Sequence, residues 1–303
     1  MTLDALTALA NGLNMRAKLA YAGGVCGQWT MDHNSDRSIW FHLVGKGNGW
    51  VHSPALDGPL ELVEGDVMVF LPHAAQHYLS YSPDHVPLGD TTGNLSTWAA
   101  GETGFICGEI ELTAPQSPLW HALPAEIVIR KKDAGDSLSS LIELVIAESE
   151  HARFGGEAVI ERLCDGFFIL LVRHCIEADL VRDGVFAAMK DRRIATVLEL
   201  IHREPWHRWS IAELCGRAGI SKTVLAERFA SRIGMSPIEY LTDWRMQIAA
   251  RWLKETAVTL DQVAERCGYD TASSFSKAFK RAFGVSPATY RRRSDPIAPA
   301  AAP

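Results

Sequence analysis

IAELCGRAGISKTVLAERFASRIGMSPIEY, residues 211–240, is followed by a second version of the same pattern, LDQVAERCGYDTASSFSKAFKRAFGVSPATY, residues 260–290. Phe229 matches Phe279 and Tyr240 matches Tyr290. Each copy contains a short helical pattern, a turn with glycine, and a second helical pattern that glycine closes. This order predicts two helix-turn-helix motifs in tandem. Two such motifs in one chain favour a protein that reads two successive major grooves of DNA.

The second helix of each copy has a predicted cap and a predicted outward face. Ser221 and Thr271 precede these helices and are good N-cap residues, because their hydroxyl oxygens accept hydrogen bonds from free backbone N–H groups. The apolar residues that follow fall on one face, which leaves small and charged side chains on the other. The outward residues that we expect to face DNA are Lys222, Thr223, Ala226 and Glu227 in the first copy and Ala272, Ser273, Ser276, Lys277 and Lys280 in the second.

The stretch between the copies, IEYLTDWRMQIAARWLKE at 238–255, has a helical pattern throughout. A single helix there holds two DNA-reading helices at a fixed distance, ideally one turn of DNA, about 34 Å. The tandem pattern, the Gly-x-Ser-Pro-x-x-Tyr closures and this connecting helix resemble the DNA-binding domain of the AraC/XylS family over about 190–293. The resemblance implies a transcription factor, usually an activator, with base contacts from the outward residues named above other than Lys280.

Glu227 departs from the family pattern, in which this position is often basic. A carboxylate repels phosphate, but it can accept a hydrogen bond from N4 of cytosine. The alternative is a solvated charge without a base contact. Ala226 offers only a contact with a thymine methyl group, so we expect the first copy to contribute less to recognition than the second.

The charge is divided unevenly along the 303 residues. Residues 190–293 contain 19 basic and 11 acidic residues, a net charge of +8, whereas the rest of the chain carries −14 and the whole chain −6. A basic module joined to an acidic one is typical of a nucleic-acid-binding half attached to a half with another task. The sequence has neither a run of 18 apolar residues nor a secretion signal, so we expect a cytoplasmic protein without a membrane span.

The expected fold is multi-domain, with an N-terminal cupin-like β-barrel, appended helices and a C-terminal all-α tandem helix-turn-helix domain. Segments 40–44, 49–51 and 66–71 are predicted strands of a sandwich or barrel. Segments 136–152 and 156–180 are predicted helices that pack on the barrel or form a dimer seam. The predicted division is 1–125 for the sensing domain, 126–186 for a helical linker or dimerisation region, 187–293 for the DNA-binding domain and 294–303 for a disordered tail.

Gly65-Asp66-(x)5-Pro72-(x)4-His77 resembles the second motif of cupin barrels, in which the histidine reaches the interior. The first motif is degraded, because Trp40 replaces its glutamate and Ser35 its second histidine. The usual four-ligand cupin site is therefore absent, and an enzyme is not expected. A different zinc or copper site remains open, with His33, His42, His77 and Cys107 as ligands. The alternative is that these residues are satisfied core or rim side chains.

The segments WFHLVGKG at 40–47, LPHAAQH at 71–77 and FICGEI at 105–110 resemble an oxidant-responsive branch of the AraC-type cupin regulators. The resemblance implies that Cys26 and Cys107 are redox-sensing thiols. The alternative is that both are small buried hydrophobes. The chain has no Cys-x-x-Cys pair, which argues against a zinc finger. We expect the remaining cysteines to serve in packing: Cys164, Cys175, Cys215 and Cys267.

A third interpretation of the N-terminal half is a receptor for a small organic effector. Its aromatic residues either line an apolar pocket or form ordinary core: Trp29, Trp40, Phe41, Trp50 and Phe70. The expected partners are double-stranded promoter DNA, a second copy of the chain in a homodimer, and RNA polymerase.

Overall fold

The computed structural model describes residues 4–13, 15–32, 37–85, 94–96, 103–112, 114–115, 117–151, 153–255 and 258–292. The chain divides into two compact units. The barrel unit contains Met15–Leu112 and Pro124–Ala178, and the helical unit contains Met1–Asn14, Thr113–Leu123 and Asp179–Pro303. These bounds differ from the predicted division. The first 14 residues and 113–123 belong with the C-terminal half, and most of the predicted linker at 126–186 belongs to the barrel unit.

The barrel unit contains two antiparallel sheets within its described residues. The strands are β1 (Ala17–Cys26), β2 (Thr30–Asp32), β3 (Ser38–Lys46), β4 (Asn48–His52), β5 (Leu60–Val63), β6 (Val67–Phe70), β7 (Tyr78–Ser80), β8 (Asn94–Ser96), β9 (Thr103–Glu111) and β10 (Glu126–Ile129). One sheet has the order β10-β6-β3-β9-β1-β8, and the other has the order β2-β7-β4-β5. The predicted strands at 40–44, 49–51 and 66–71 correspond to β3, β4 and β6.

Alternation along β3 separates two environments, because successive side chains of a strand point to opposite faces. Val44 lies in the core between the sheets, and Trp40 packs against that core. Phe41 lies on the other face, where its ring contacts Phe167 with centroids 5.3 Å apart. Phe41 therefore cannot line an interior pocket together with Trp40.

Two long helices complete the barrel unit: α3 (Asp136–Ser149) and α4 (Gly156–Glu177). They confirm the predicted helices, each of which ends three residues earlier than expected. Helix α4 packs against β1, and the backbone N–H of Ala17 donates a hydrogen bond of 2.7 Å to the Asp165 carboxylate. The predicted packing of a helix on the barrel is thus confirmed.

A buried carboxylate fixes the turn that leads into β6. Gly65 has a φ of +86°, which favours glycine. Asp66 is buried and accepts hydrogen bonds from the backbone N–H groups of Val63 at 3.2 Å and Lys131 at 2.9 Å. The Arg130 guanidinium donates to the same carboxylate at 2.7 Å. These contacts tie the turn to the end of β10.

The helical unit contains α1 (Ala5–Leu13), α2 (Pro118–His121), α5 (Gly184–Ala188), α6 (Arg192–Arg203), α7 (Ile211–Ala218), α8 (Lys222–Ile233), α9 (Pro237–Glu255), α10 (Leu260–Arg266), α11 (Ala272–Phe283) and α12 (Pro287–Arg292). Helices α7 and α8 form the first helix-turn-helix, and α10 and α11 form the second. The predicted caps are confirmed, since Ser221 accepts from the N–H of Val224 and Thr271 from the N–H of Ser274. Among the described residues, no helix combines the length and the apolar character that crossing a membrane requires.

Candidate nucleic-acid interface and thiol–imidazole cluster

The second helix of each motif has one buried face and one exposed face. In α8, Leu225 and Phe229 are fully buried, and in α11, Phe275 and Phe279 are fully buried. Every residue of the predicted DNA-facing set lies away from these aromatic and aliphatic anchors. The exposed members are Lys222, Thr223, Ala226, Glu227, Ser273, Lys277 and Lys280, and the half-buried members are Ala272 and Ser276.

One arginine of α8 is held within the helical unit. Arg228 donates a hydrogen bond of 2.8 Å to the carboxylate of Asp191. The same carboxylate caps α6 by accepting from the N–H of Arg193 at 3.0 Å. Arg228 therefore fixes α8 to the start of α6, a role that the repeat pattern alone did not reveal.

The connecting helix α9 contributes to the cores of both motifs. At its first turns, Tyr240 contacts Phe229 of the first motif with ring centroids 5.8 Å apart. Further along, Met246, Ala249 and Leu253 belong to the core that also contains Phe275 and Phe279 of the second motif. The predicted single helix over 238–255 is confirmed, and its packing fixes both recognition helices to one rigid element.

A chain of three buried polar side chains lies inside the barrel unit. Strands β3 and β9 pair His42 directly with Cys107. Nδ1 of His42 lies 3.1 Å from Sγ of Cys107, and its Nε2 lies 3.0 Å from Nε2 of His77. All three residues are buried. The ring of Phe70 stacks on that of His77, with an interplanar angle of 4°.

Burial decides the protonation of this thiol. Desolvation raises the pKa of Cys107 far above its ordinary value, because a thiolate in an apolar interior loses its hydration. Cys107 is therefore a protonated thiol at neutral pH.

The predicted metal site is not assembled by the described residues. His42 uses Nδ1 towards Cys107 and Nε2 towards His77, and the two nitrogens of one imidazole point in diverging directions. A metal bound between the two facing Nε2 atoms therefore could not also take Cys107 as a ligand. His33 lies outside the described residues, and the described part of the chain contains no group of three histidine, cysteine, aspartate or glutamate side chains arranged to hold a metal. The zinc or copper site with His33, His42, His77 and Cys107 therefore stays a prediction.

The two candidate redox thiols are far apart along the sheet. Cys107 of β9 pairs with Tyr21 of β1, and Cys26 lies five residues further along β1, opposite Asn94 of β8. At about 3.4 Å per residue the separation is roughly 17 Å, whereas a disulfide requires Cα atoms within about 7 Å. A direct Cys26–Cys107 disulfide does not fit this structure. Cys26 is half-buried, and the four cysteines predicted to serve in packing are buried.

A cleft of about 470 Å³ opens beside His77. Its walls are Asp32, His52, Ser53, Pro54, Gly58, Pro59, Gln76, His77 and Tyr78. Burial lowers the pKa of His52, and its ring stacks on Tyr78 with centroids 4.3 Å apart. The aromatic residues expected to line an effector pocket are not part of these walls, and Trp29 and Phe70 are core residues instead.

Comparison with known families decides the class of this chain. Residues 4–177 match a family model described as Cupin, and residues 214–293 match a model described as Helix-turn-helix domain. The chain belongs to the AraC-type regulators with an N-terminal cupin domain. As a member of this family, it is a DNA-binding transcription regulator.

Two relatives align with this chain over nearly their whole length. A putative AraC-like transcription regulator of Streptomyces lividans is 29% identical over 95% of this chain and 97% of its own length. The RCS-specific HTH-type transcriptional activator RclR of Escherichia coli is 26% identical over 89% of this chain and 91% of its own. The DNA-binding domain of AdpA, solved in complex with a target DNA, is 30% identical over 33% of this chain and 90% of its own, with a TM-score of 0.32.

Proposed function

We propose that this regulator activates transcription in the cytoplasm as a homodimer that contacts RNA polymerase. Helices α8 and α11 enter successive major grooves of promoter DNA. The observation that carries this proposal is the pair of capped helices with exposed small and charged residues, fixed to one connecting helix. The name of the activator relative supports the direction of regulation.

The contacts divide into two kinds. Lys222, Lys277 and Lys280 are exposed cations, which suits contacts with phosphate. Thr223 and Ser273 are small and exposed near the N-terminal ends of their helices, which allows close approach to base edges. Glu227 accepts a hydrogen bond from cytosine in the first groove.

The DNA-binding proposal is tested with the full-length protein. A binding site is selected from a random DNA library, and the dissociation constant is measured for that site and for a scrambled site at moderate salt. We expect the protein to bind the selected site at least roughly 10³-fold more tightly than the scrambled site, since about 10³-fold is the lower end of the specificity that DNA-binding regulators show. Equal affinity for both DNAs would contradict the proposal.

For the signal, the barrel is a sensor rather than an enzyme, and oxidation at Cys26 or Cys107 is the event it detects. Hypochlorous acid transfers oxygen to a thiol, giving a sulfenic acid, chloride and a proton. Oxidation of the fully buried, protonated Cys107 requires that the strands around it open first, and the added oxygen beside His42 then disfavours the reduced arrangement of the strands. Such a differential stability is the requirement for a ligand- or oxidant-driven shift between two states.

The signal proposal requires that the thiols be necessary for the response. Wild type, Cys26→Ser, Cys107→Ser and the double variant are compared in a promoter reporter assay with hypochlorite. The matched control is Cys164→Ser, which changes another buried thiol whose pKa burial raises to about 12. We expect the control to respond and the double variant to lose the response. A double variant that responds like wild type would eliminate the thiol mechanism.

The cleft beside His77 favours a second candidate signal, a small organic effector. The polar groups of His52, Gln76 and Tyr78 at its walls suit a ligand that forms hydrogen bonds. A response that survives in the double cysteine variant but disappears in Gln76→Ala would support this candidate. Loss of the response on treatment with a chelator would instead support a zinc or copper signal.

A further inference from the structure

The connecting helix α9 is held by a segment from outside the C-terminal half of the sequence. The side-chain amide of Gln247 donates one hydrogen bond of 2.8 Å to the hydroxyl of Ser117 and another of 2.7 Å to the carboxylate of Asp243. Gln247 and Ser117 are both buried. Because both amide hydrogens are used, loss of the Ser117 partner leaves a buried donor without a replacement nearby.

The segment that contains Ser117, residues 113–123, is part of the core of the helical unit. Ala114 belongs to the same hydrophobic cluster as Met246 and Phe279. Trp120 is buried, and its indole N–H donates to the carbonyl of Ala114 at 2.9 Å. Helix α2 of this segment packs on α5, which in turn packs on α8. The segment therefore supports the first recognition helix through α5 and the second through the shared core.

The N-terminal helix α1 holds α9 at a second place. Arg251 donates a hydrogen bond of 2.7 Å to the carbonyl of Gly12 at the end of α1. The Cα of Gly12 lies against the ring of Trp244, so closely that a Cβ atom there would overlap the indole. Two separate pieces of chain, α1 and residues 113–123, thus contact the one helix that joins the two DNA-reading motifs.

Both pieces continue directly into the strands that carry the candidate thiols. Helix α1 ends at Leu13, and β1, which ends with Cys26, begins at Ala17. Strand β9, which carries Cys107, ends at Glu111, two residues before the 113–123 segment begins. Each of the two strands is thus only a few residues along the chain from a segment that contacts α9.

We propose that Gln247 and Ser117 are positioning residues that set the placement of α8 relative to α11, and that their hydrogen bond is the point at which the 113–123 segment controls DNA reading. The 113–123 segment contacts α8 through α5 and contributes to the core that holds α11, so a change in how this segment is held against α9 alters the placement of α8 relative to α11. This inference rests on the proposed reading of two successive grooves. It adds that the spacing between the two half-sites is read through the 113–123 segment.

The test measures discrimination between spacings with the full-length protein. Dissociation constants are determined for the selected two-box DNA site and for the same site with one base pair inserted between the boxes. Gln247→Met keeps the length of the side chain but removes the donor, and Ser117→Ala removes the acceptor. The matched control is Thr242→Ala, because among the described residues the Thr242 hydroxyl bonds to the Ile238 carbonyl within α9 and to nothing in the 113–123 segment.

Discrimination is the dissociation constant for the site with the inserted base pair divided by that for the selected site. We expect this ratio to fall roughly 2- to 30-fold in Gln247→Met, which is the range seen for mutations that change the coupling between two sites. It should fall similarly in Ser117→Ala and should not change in Thr242→Ala. The double variant should lose less discrimination than the sum of the two single losses, because both changes remove the shared Ser117–Gln247 hydrogen bond. A general loss of fold would lower affinity for both DNAs without selectively changing their ratio.

If Gln247→Met is folded, as its melting temperature will show, and still discriminates between the two spacings as well as the wild type, the inference is overturned. If Gln247→Met does not fold, Ser117→Ala decides by the same criterion. A wild-type protein that binds the selected and scrambled sites equally would instead remove the DNA-reading function on which the inference rests. The two failures are therefore distinguishable.

Discussion

The imidazole of His202 accepts a hydrogen bond from the hydroxyl of Tyr240 at 2.7 Å and holds that ring at the start of α9. Its other nitrogen, Nδ1, lies 3.3 Å from the carbonyl oxygen of Ala5 in α1. A carbonyl cannot donate, so Nδ1 carries the proton and Nε2 is the acceptor. The neutral ring thus joins α1, α6 and α9, and burial lowers the pKa of His202 to about 3.

The first prediction is a loss of stability in mild acid. A histidine in an unfolded chain has a pKa near 6.5. Between about pH 6.5 and 3, His202 is therefore protonated in the unfolded chain but neutral in the folded protein. The contribution of neutral His202 to the free energy of unfolding is fully present above about pH 6.5. It decreases as the pH falls below that value, by up to about 1.4 kcal/mol per pH unit. We expect the free energy of unfolding to fall between pH 7 and pH 5.

His202→Gln, which stays neutral, should reduce this pH dependence when urea unfolding is measured across the same range. An unchanged dependence in His202→Gln would show that other groups cause the acid sensitivity.

The second prediction concerns the contact between α1 and α9. Gly12→Ala places a methyl group where the Trp244 indole lies, and such overpacking costs about 1–3 kcal/mol. We expect a lower melting temperature. Gly216→Ala in α7 is the control, because its added methyl group would meet no atom within 4 Å, and a helical Gly→Ala change stabilises by up to about 1 kcal/mol. Equal melting temperatures for the two variants would contradict the close contact.

The third prediction concerns salt. Lys277→Ala and Lys222→Ala each remove an exposed cation from a recognition helix. Each loss of a phosphate contact should reduce the slope of log affinity against log salt concentration by about 0.9. Titrations from low to moderate salt measure this slope, with Lys132→Ala in the barrel unit as the control. A lysine whose removal leaves the slope unchanged but alters the preferred bases contacts a base instead.

The fourth prediction contrasts two ion pairs of similar length in the barrel unit. Arg130 and Asp66 are 2.7 Å apart with the carboxylate buried, whereas Lys18 and Glu111 are 2.6 Å apart and exposed. Asp66→Ala also removes the acceptor of two backbone N–H groups, so we expect a loss of about 3–5 kcal/mol in the free energy of unfolding. Glu111→Ala should cost at most about 1 kcal/mol. Similar losses in urea unfolding would show that burial of Asp66 adds nothing.

The parts that sequence predicted are those that local patterns determine. The caps at Ser221 and Thr271, the buried Phe229 and Phe279, and the helix over 238–255 follow from spacing within a few turns. Family resemblance added the barrel and its pairing with a DNA-binding half. These features repeat or match motifs, so one sequence is sufficient to find them.

The features that sequence did not predict depend on contacts between distant residues. Nothing near Ser117 indicates that it bonds to Gln247, 130 residues later. The separation of Cys26 from Cys107 follows from the register between β1 and β9, which the cysteine positions do not reveal. The raised pKa of Cys107 depends on complete burial, and the contacts of His42 with Cys107 and His77 depend on how distant strands pair.

The assembly of the helical unit from three stretches of chain has a consequence for synthesis and for recombination. Helix α1 leaves the ribosome first, but α9 ends only at Glu255, roughly 10–50 s later at about 5–20 residues per second. Until then α1 can pack on α6 but not on α9. For the same reason, a crossover at one point in the gene cannot transfer the DNA-reading half intact to another sensor, because part of that half is encoded on either side of the cut.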